Sequence, residues 1–239
     1  ANVSIRDDIL ADNSATGLGA SFATYFPGLG FRTLAANEIL GSVTGMNVTN
    51  ANFGFNSNQT LTTTTANSLT LLSGGGITGF TTGSILTLQH SILAQAGNTG
   101  LTGGQVTATT ATMIVFGNGD LAVSSYLLAG GGLVKGGAGN MTLSNPMFVT
   151  GTHVINQGTL TLNSAADNTI VVNPTATAVG LQALSLNGGT LDINGRNQAV
   201  GVLASNNPLP GTGGTLTNTS GTAATFTTSG TGTFGGVIN

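Results

Sequence analysis

The sequence predicts an all-β chain wound as a right-handed parallel β-helix, and three observations carry that expectation. Short runs of strict alternation between apolar and small polar residues recur along most of the 239 residues. A period of two is that of a strand with one buried and one wetted face. The runs are separated by glycine- and asparagine-rich corners, in a chain that holds 39 glycines. These residues accept φ > 0 at little steric cost. The near-identical pieces "GTLTLN" (158–163) and "GTLDIN" (189–194) then favour winding, in which each strand lies on its counterpart one coil earlier.

Residues 1–40 differ from the rest. Arg6, Asp7, Asp8, Asp12, Arg32 and Glu38 place most of the charged side chains there, beside the aromatics Phe22, Tyr25, Phe26 and Phe31. This stretch is expected to form an N-terminal cap or junction segment, with residues 41–239 as the solenoid. The strand-like pieces follow in order: "SLTLL" (68–72), "ILTLQ" (85–89), "TMIVF" (112–116), "LAVSSYL" (121–127), "NMTLS" (140–144), "GTLTLN", "TIVV" (169–172), "LQALSLN" (181–187), "GTLDIN" and "ATFTTSG" (224–230). Leu160, Leu162, Leu191 and Ile193 should point inward, with Thr159, Thr161, Thr190 and Asp192 outward. Helix is disfavoured, because frequent glycine and dense Thr and Asn weaken it. Coils of roughly 20 residues would give about nine or ten turns, a rod on the order of 45 Å long.

Composition narrows the function. Four basic and seven acidic side chains leave a net charge of −3. No phosphate-binding stripe follows from that, so no nucleic-acid partner is expected. No apolar run is long enough to span a bilayer, and no membrane span is expected in this segment. The first residues show no leader pattern, so an export signal or anchor is expected outside them. The lack of cysteine suits an exported bacterial surface protein.

The stretch from Gly131 to Ala165 holds the only lysine, Lys135. Leu133, Lys135, Gly137, Gly139 and Leu143 match a first strand of the form L-x-K-x-G-x-G-x-L-x-L. Gly151, Thr152, Ile155, Asn156, Gly158, Thr159, Leu160 and Leu162 match a second, T-x-V-x-x-G-T-L-x-L. On these residues the chain resembles the autotransporter-associated β-strand repeat of large bacterial surface proteins. It departs from the pattern at Met141, where the family has leucine. The turn "NPMFVTG" is also about two residues longer and lacks the family's tyrosine. The resemblance implies a parallel β-helix of extracellular or cell-surface location.

Candidate chemistry is thin. β-Helix glycan hydrolases converge several aspartates, a histidine and basic residues on one face. Here "RDD" (6–8) has no second acidic pair, and Asp120, Asp167 and Asp192 stand alone in sequence, although winding can bring residues such as Asp167 and Asp192 together. "FGNGDLAV" (116–123) is one residue short of the calcium-binding nonapeptide and occurs once. Asp7, Asp8, Asp12 and Asn13 form a second, weaker calcium candidate. His90 and His153, with no cysteine, do not make a zinc site. The glycine triplets at 74–76 and 130–132 lack what a phosphate loop needs. The sequons at Asn2, Asn47, Asn58, Asn140 and Asn218 are expected by chance, and the threonine tracts 60–66 and 224–234 share no period. The expectation is therefore no catalytic, cofactor or metal residue, and no enzyme.

What remains is a structural protein: stalk, fibre or adhesin scaffold. Its expected partner is itself, head to tail, or neighbouring modules of a longer chain. The expected contact joins Phe22, Tyr25, Phe26 and Phe31 at one end to Val237 and Ile238 at the other, so that residues 1–40 of one unit cover the last rung of the preceding one. The alternative is a glycan-binding or glycan-cleaving β-helix, with surface glycans as partner.

Overall fold

The structure, a computed structural model, describes every residue except 1, 2, 14, 16, 18, 44–49, 110, 111, 171–180 and 208. Parallel sheets stack into a β-solenoid of about 9 turns. Each coil has three walls. The third wall is the most regular and is a nine-stranded parallel sheet. Its strands are Asn58–Leu61, Gly76–Phe80, Gly100–Leu101, Leu121–Val123, Met141–Leu143, Thr159–Leu162, Thr190–Asp192, Thr215–Thr217 and Val237–Ile238. The second wall stacks Ala51–Phe55, the end of Thr64–Leu71, Ile92–Ala94, Met113–Gly117, Leu133–Gly136, His153–Ile155, Ala183–Leu186 and Val202–Ala204. The first wall stacks the start of Thr64–Leu71, Ile85–Leu88, Gln105–Ala108, Tyr126–Ala129 and Phe148–Val149. It continues through the Met147–Ile170 bridge towards the paired strands Gln198–Val200 and Phe226–Thr228.

Register turns the alternation into columns. On the third wall Leu121, Met141, Leu160, Leu191, Leu216 and Ile238 lie one above another. Ile77, Leu101, Val123, Leu143 and Leu162 form a second column. All but Ile238 are buried, each contributing on the order of 2 kcal/mol. A one-residue slip would turn a whole strand inside out, so the core sets the register. Met141 occupies a leucine place in its column, an unbranched chain filling the same volume.

The expected inward residues Leu160, Leu162, Leu191 and Ile193 are buried, and Thr159, Thr161 and Thr190 are partly exposed. Asp192 departs from expectation. It has the outward parity but is only 5% exposed, because the chain returns over it. Thr219 donates its hydroxyl (2.6 Å) and its N–H (3.0 Å) to the carboxylate, and Asn194 adds its own N–H.

Two readings of the sequence merged separate walls. "LAVSSYL" spans two strands, with a corner at Ser124 and Ser125, whose N–H groups both reach the Leu101 carbonyl. The long turn "NPMFVTG" contains a first-wall strand, Phe148–Val149, with Val149 inward and Phe148 outward. The piece "TIVV" lies partly outside the described residues; Thr169 and Ile170 are buried.

The N-terminal segment forms an antiparallel sheet of β1 (Arg6–Ala11), β2 (Ser21–Phe26) and β3 (Gly30–Thr33). A 3-10 turn at Ala36–Glu38 follows, and Leu40 then bridges Phe53 in parallel. This sheet lies along the second wall and crosses several coils. Val3 accepts from Asn52 and Asn67, Asp7 meets His90 and Ser91, and Gly19 accepts from Gln95 and Asn118. Phe22, Ile5 and Leu34 close over Leu93, an outward residue of that wall, with Phe116 beside them.

Leu160→Ala should lower stability by about 2–5 kcal/mol, the range for a large-to-small change in a packed core. Thr161→Ala, one residue on but facing outward, should stay within about 0.5 kcal/mol. Denaturant midpoints of the two variants check this; comparable losses would contradict the assigned register.

Candidate functional site

The acidic residues serve separate structural partners. Asp8 pairs with Arg6 at 2.7 Å, Asp7 with His90 at 3.3 Å, and Asp12 accepts the Gly19 N–H at 3.1 Å. Asn13 donates to the Thr33 hydroxyl. Asp120 accepts the Asn140 N–H of the next coil, and Asp167 takes both the side chain and the N–H of Asn197. Those Asn197 bonds hold the Asp167 carboxyl below the usual range. Among the described residues no three His, Asp or Glu side chains converge.

Asparagines form rungs between coils at the corners. Asn187 donates to Asn156 at 2.9 Å and Asn194 to Asn163 at 3.2 Å. Asn58 and Asn218 are likewise engaged, with Thr99 and Thr222. The sequons at Asn2 and Asn47 lie outside the described residues.

The proposed contact residues divide. Phe22 has no exposed surface. It belongs to the core between the N-terminal sheet and the second wall, so it is corrected from interface to core. Tyr25, Phe26 and Phe31 are exposed, and Leu29 joins them at 75%. They cluster at the β2–β3 hairpin, where Tyr25 and Phe31 pack edge to face at 5.5 Å. Arg6 and Arg32 lie over the Phe31 and Phe26 rings. Val237 and Ile238 are also exposed, on the outermost rung of the third wall.

Among the described residues two ionisable side chains, Lys135 and His153, sit inside the solenoid, each sharing the parity of an inward apolar residue on its own strand, Leu133 and Ile155. Lys135 occupies the inward column Val115–Lys135–Ile155 and is fully buried. Its ammonium donates to the carbonyls of Gly136 (3.1 Å), Gly137 (2.8 Å) and Gln157 (2.9 Å), which uses all three of its protons. Gln157 belongs to the next coil, so the side chain ties two stacked corners together. Glycine makes the room: at Gly158, with φ +68°, a Cβ would lie 2.7 Å from the Lys135 Nζ. This explains the run Leu133-x-Lys135-x-Gly137-x-Gly139 in physical terms. The lysine enters the core at an apolar position and is held by the carbonyls of Gly136 and Gly137 and of Gln157 one coil on, where Gly158 leaves room for its ammonium. Burial pushes its pKa down to about 8, with the Asp120 charge acting in the opposite sense.

His153 stands in the adjoining inward column, between Leu133 and Leu184. It has no exposed surface. Nδ1 accepts the Leu133 N–H at 3.3 Å, so the ring is neutral with its proton on Nε2, which has no partner among the described residues. Burial pushes its pKa down to about 4. Neither residue faces a cleft or solvent, and both are parts of the core.

Compared with protein families, curated proteins and solved structures, the chain matches none.

The buried pair predicts how stability follows pH. Lys135 titrates at about 8 when folded, against an ordinary 10.5. The unfolded chain then holds more protons between those values, so stability should rise as pH climbs from 8 to 10.5. His153 titrates at about 4 against 6.5, so stability should fall as pH drops from 6.5 to 4. The His153 loss is on the order of 3 kcal/mol once complete. Glu38, lowered to about 2 by the Arg32 guanidinium and the Ala35 N–H, adds a separate loss below 4.5. His153→Leu should remove the loss between pH 6.5 and 4 and leave the one below 4.5. Lys135→Met should abolish the alkaline rise and cost about 1–3 kcal/mol, because the corner carbonyls lose their donor. Unfolding measured across pH for the three proteins checks each statement.

Proposed function

We propose that this chain is a segment of an extracellular or bacterial cell-surface structural solenoid, a stalk, fibre or adhesin scaffold, extended by further coils stacking end to end. One observation carries the reading. The inward column Leu121–Met141–Leu160–Leu191–Leu216 keeps one register through successive coils, so each coil packs on the next by the same contacts. A parallel rung with free N–H and C=O groups on its outer side templates another strand. Further coils extend such a column without altering the fold.

The hairpin of the N-terminal sheet offers Tyr25, Phe26, Leu29 and Phe31, exposed apolar side chains flanked by arginines, in keeping with an interface. A head-to-tail contact of this kind is heterologous and generates a filament rather than a closed ring. The individually satisfied carboxylates favour a scaffold over a glycan-cleaving enzyme, since acid and base must converge for hydrolysis. The resemblance to the autotransporter-associated repeat supports the surface location, and the lack of cysteine accords with it.

Point variants test the assembly better than truncation, because removing residues 1–40 would bare Leu93 and Phe116 on the flank. Tyr25→Ser with Phe31→Ser, or Ile238→Lys, should leave melting behaviour unchanged and shift sedimentation from long assemblies to single units. A wild-type protein that sediments as a single unit at all concentrations would refute end-to-end stacking. The same preparation should release no product from pectin or neutral glycans, and a chelator should not shift its Tm.

A further inference from the structure

The three walls present different outer surfaces. The second is covered over several coils by the N-terminal sheet. The third shows threonine columns, Thr159–Thr190–Thr215 and Thr142–Thr161. The first is uncovered and carries exposed aromatics, Tyr126 and Phe148, on successive coils with ring centroids 6.1 Å apart. Beside them, at the corner leading from the third wall, lies a cleft of about 410 Å³ bounded by Phe80, the 81–85 turn, Gly104, Gln105 and Tyr126.

The cleft is built rather than incidental. Gly104 has φ +56°, and a Cβ there would fall 2.2 Å from the Phe80 ring. The ring therefore lies directly against bare backbone. The Gly104 carbonyl accepts the Tyr126 N–H at 3.0 Å, which fixes the second ring's position along the coil. The opposite rim is a closed turn, with the Ser84 N–H on the Thr81 carbonyl and the two hydroxyls 2.5 Å apart. The exposed Thr82 hydroxyl, Gln105 amide and Tyr126 hydroxyl make no hydrogen bond to another described residue.

We propose that this cleft binds a neutral glycan, with Tyr126 and Phe148 stacking on sugar rings and Gln105 and Thr82 bonding their hydroxyls. The chemistry selects that occupant. A pyranose has an apolar C–H face bordered by hydroxyls that both donate and accept, and the cleft offers ring faces bordered by an amide and hydroxyls. None of its lining residues is charged, so an anionic polymer finds no cation and a basic one no carboxylate. An extended peptide finds no free strand edge, because the central strands of this wall are bonded on both sides. An amphipathic helix needs a continuous apolar groove, and Thr82 and Gln105 interrupt this one. The proposal stands apart from end-to-end stacking: either is true without the other.

The chain has no tryptophan and two tyrosines, which makes the cleft readable by fluorescence. In a Tyr25→Phe background Tyr126 is the only tyrosine. That protein is titrated with maltohexaose, cellohexaose, xylohexaose and N-acetylchitohexaose. At least one should give a saturable change in Tyr126 emission. Calorimetry with the same sugar should then show binding about ten-fold weaker or worse in Tyr126→Ala, with lesser losses in Gln105→Ala and Phe148→Ala. All three substitutions are at exposed positions and should leave melting behaviour intact. Saturation by none of the four sugars overturns the proposal, as does unchanged affinity in Tyr126→Ala. A concentration-dependent dimer that Tyr126→Ala dissociates also overturns it, since the patch then belongs to a second copy of the chain.

Discussion

A strand of this solenoid has no ladder partner except the strands of the coil above and the coil below. Every other feature follows from that constraint. The parallel ladders satisfy N–H and C=O groups only between coils, so each wall must present its strands in register with the neighbours. Register in turn stacks like on like: Leu160 beneath Leu191, Thr159 beneath Thr190, Asn163 beneath Asn194. A single coil cannot bury its apolar side chains, whereas a stack makes one continuous core. Stability is thus a property of the array, as in other repeat architectures.

Corners are where this regularity is most demanding, because the chain turns there and carbonyls lose strand partners. Two solutions occur. Asparagine rungs such as Asn156–Asn187 bond outside the coil, in reach of solvent. Lys135 bonds from within, sending its ammonium along the core to three carbonyls of two adjacent corners. Burying a cation among apolar side chains is costly unless every proton is bonded and the geometry is close. Gly158 supplies the room this needs, since a Cβ there would lie 2.7 Å from the Lys135 Nζ. His153, one coil later, lacks a full set of partners and stays neutral instead. The same burial gives a bonded group that remains ionisable near neutral pH and an under-bonded group that does not.

The exterior divides labour by wall. The N-terminal antiparallel sheet covers the early coils of the second wall, and Leu93, outward on its strand, becomes core through it, with the half-buried Phe116 packed alongside. The third wall is threonine-rich and partly wetted. The first wall combines aromatic rings with unpaired amide and hydroxyl groups. A solenoid leaves its flanks free between coils, and here the flanks differ in chemistry.

Much was legible in the residues alone. Period-two alternation in "GTLTLN" and "GTLDIN", repeated after a similar corner, determined strand, inward face and stacking, because parity and backbone pairing are local rules. Low charge and isolated aspartates likewise argued for corner roles. Other features needed the tertiary structure. Phe22 and Tyr25 lie on one strand, yet Phe22 is core and Tyr25 surface, since only docking against Leu93 distinguishes them. Asp192 has the parity of a wetted residue but is covered by Thr219 from 27 positions later. Phe148 reads as part of a turn and stands on a wall beside Tyr126. Lys135 reads as a charge and is core, because the carbonyl of Gln157 from the next coil joins those of Gly136 and Gly137 where its ammonium arrives. Alternation is decided by neighbours in sequence; these four outcomes are decided by what the winding brings alongside.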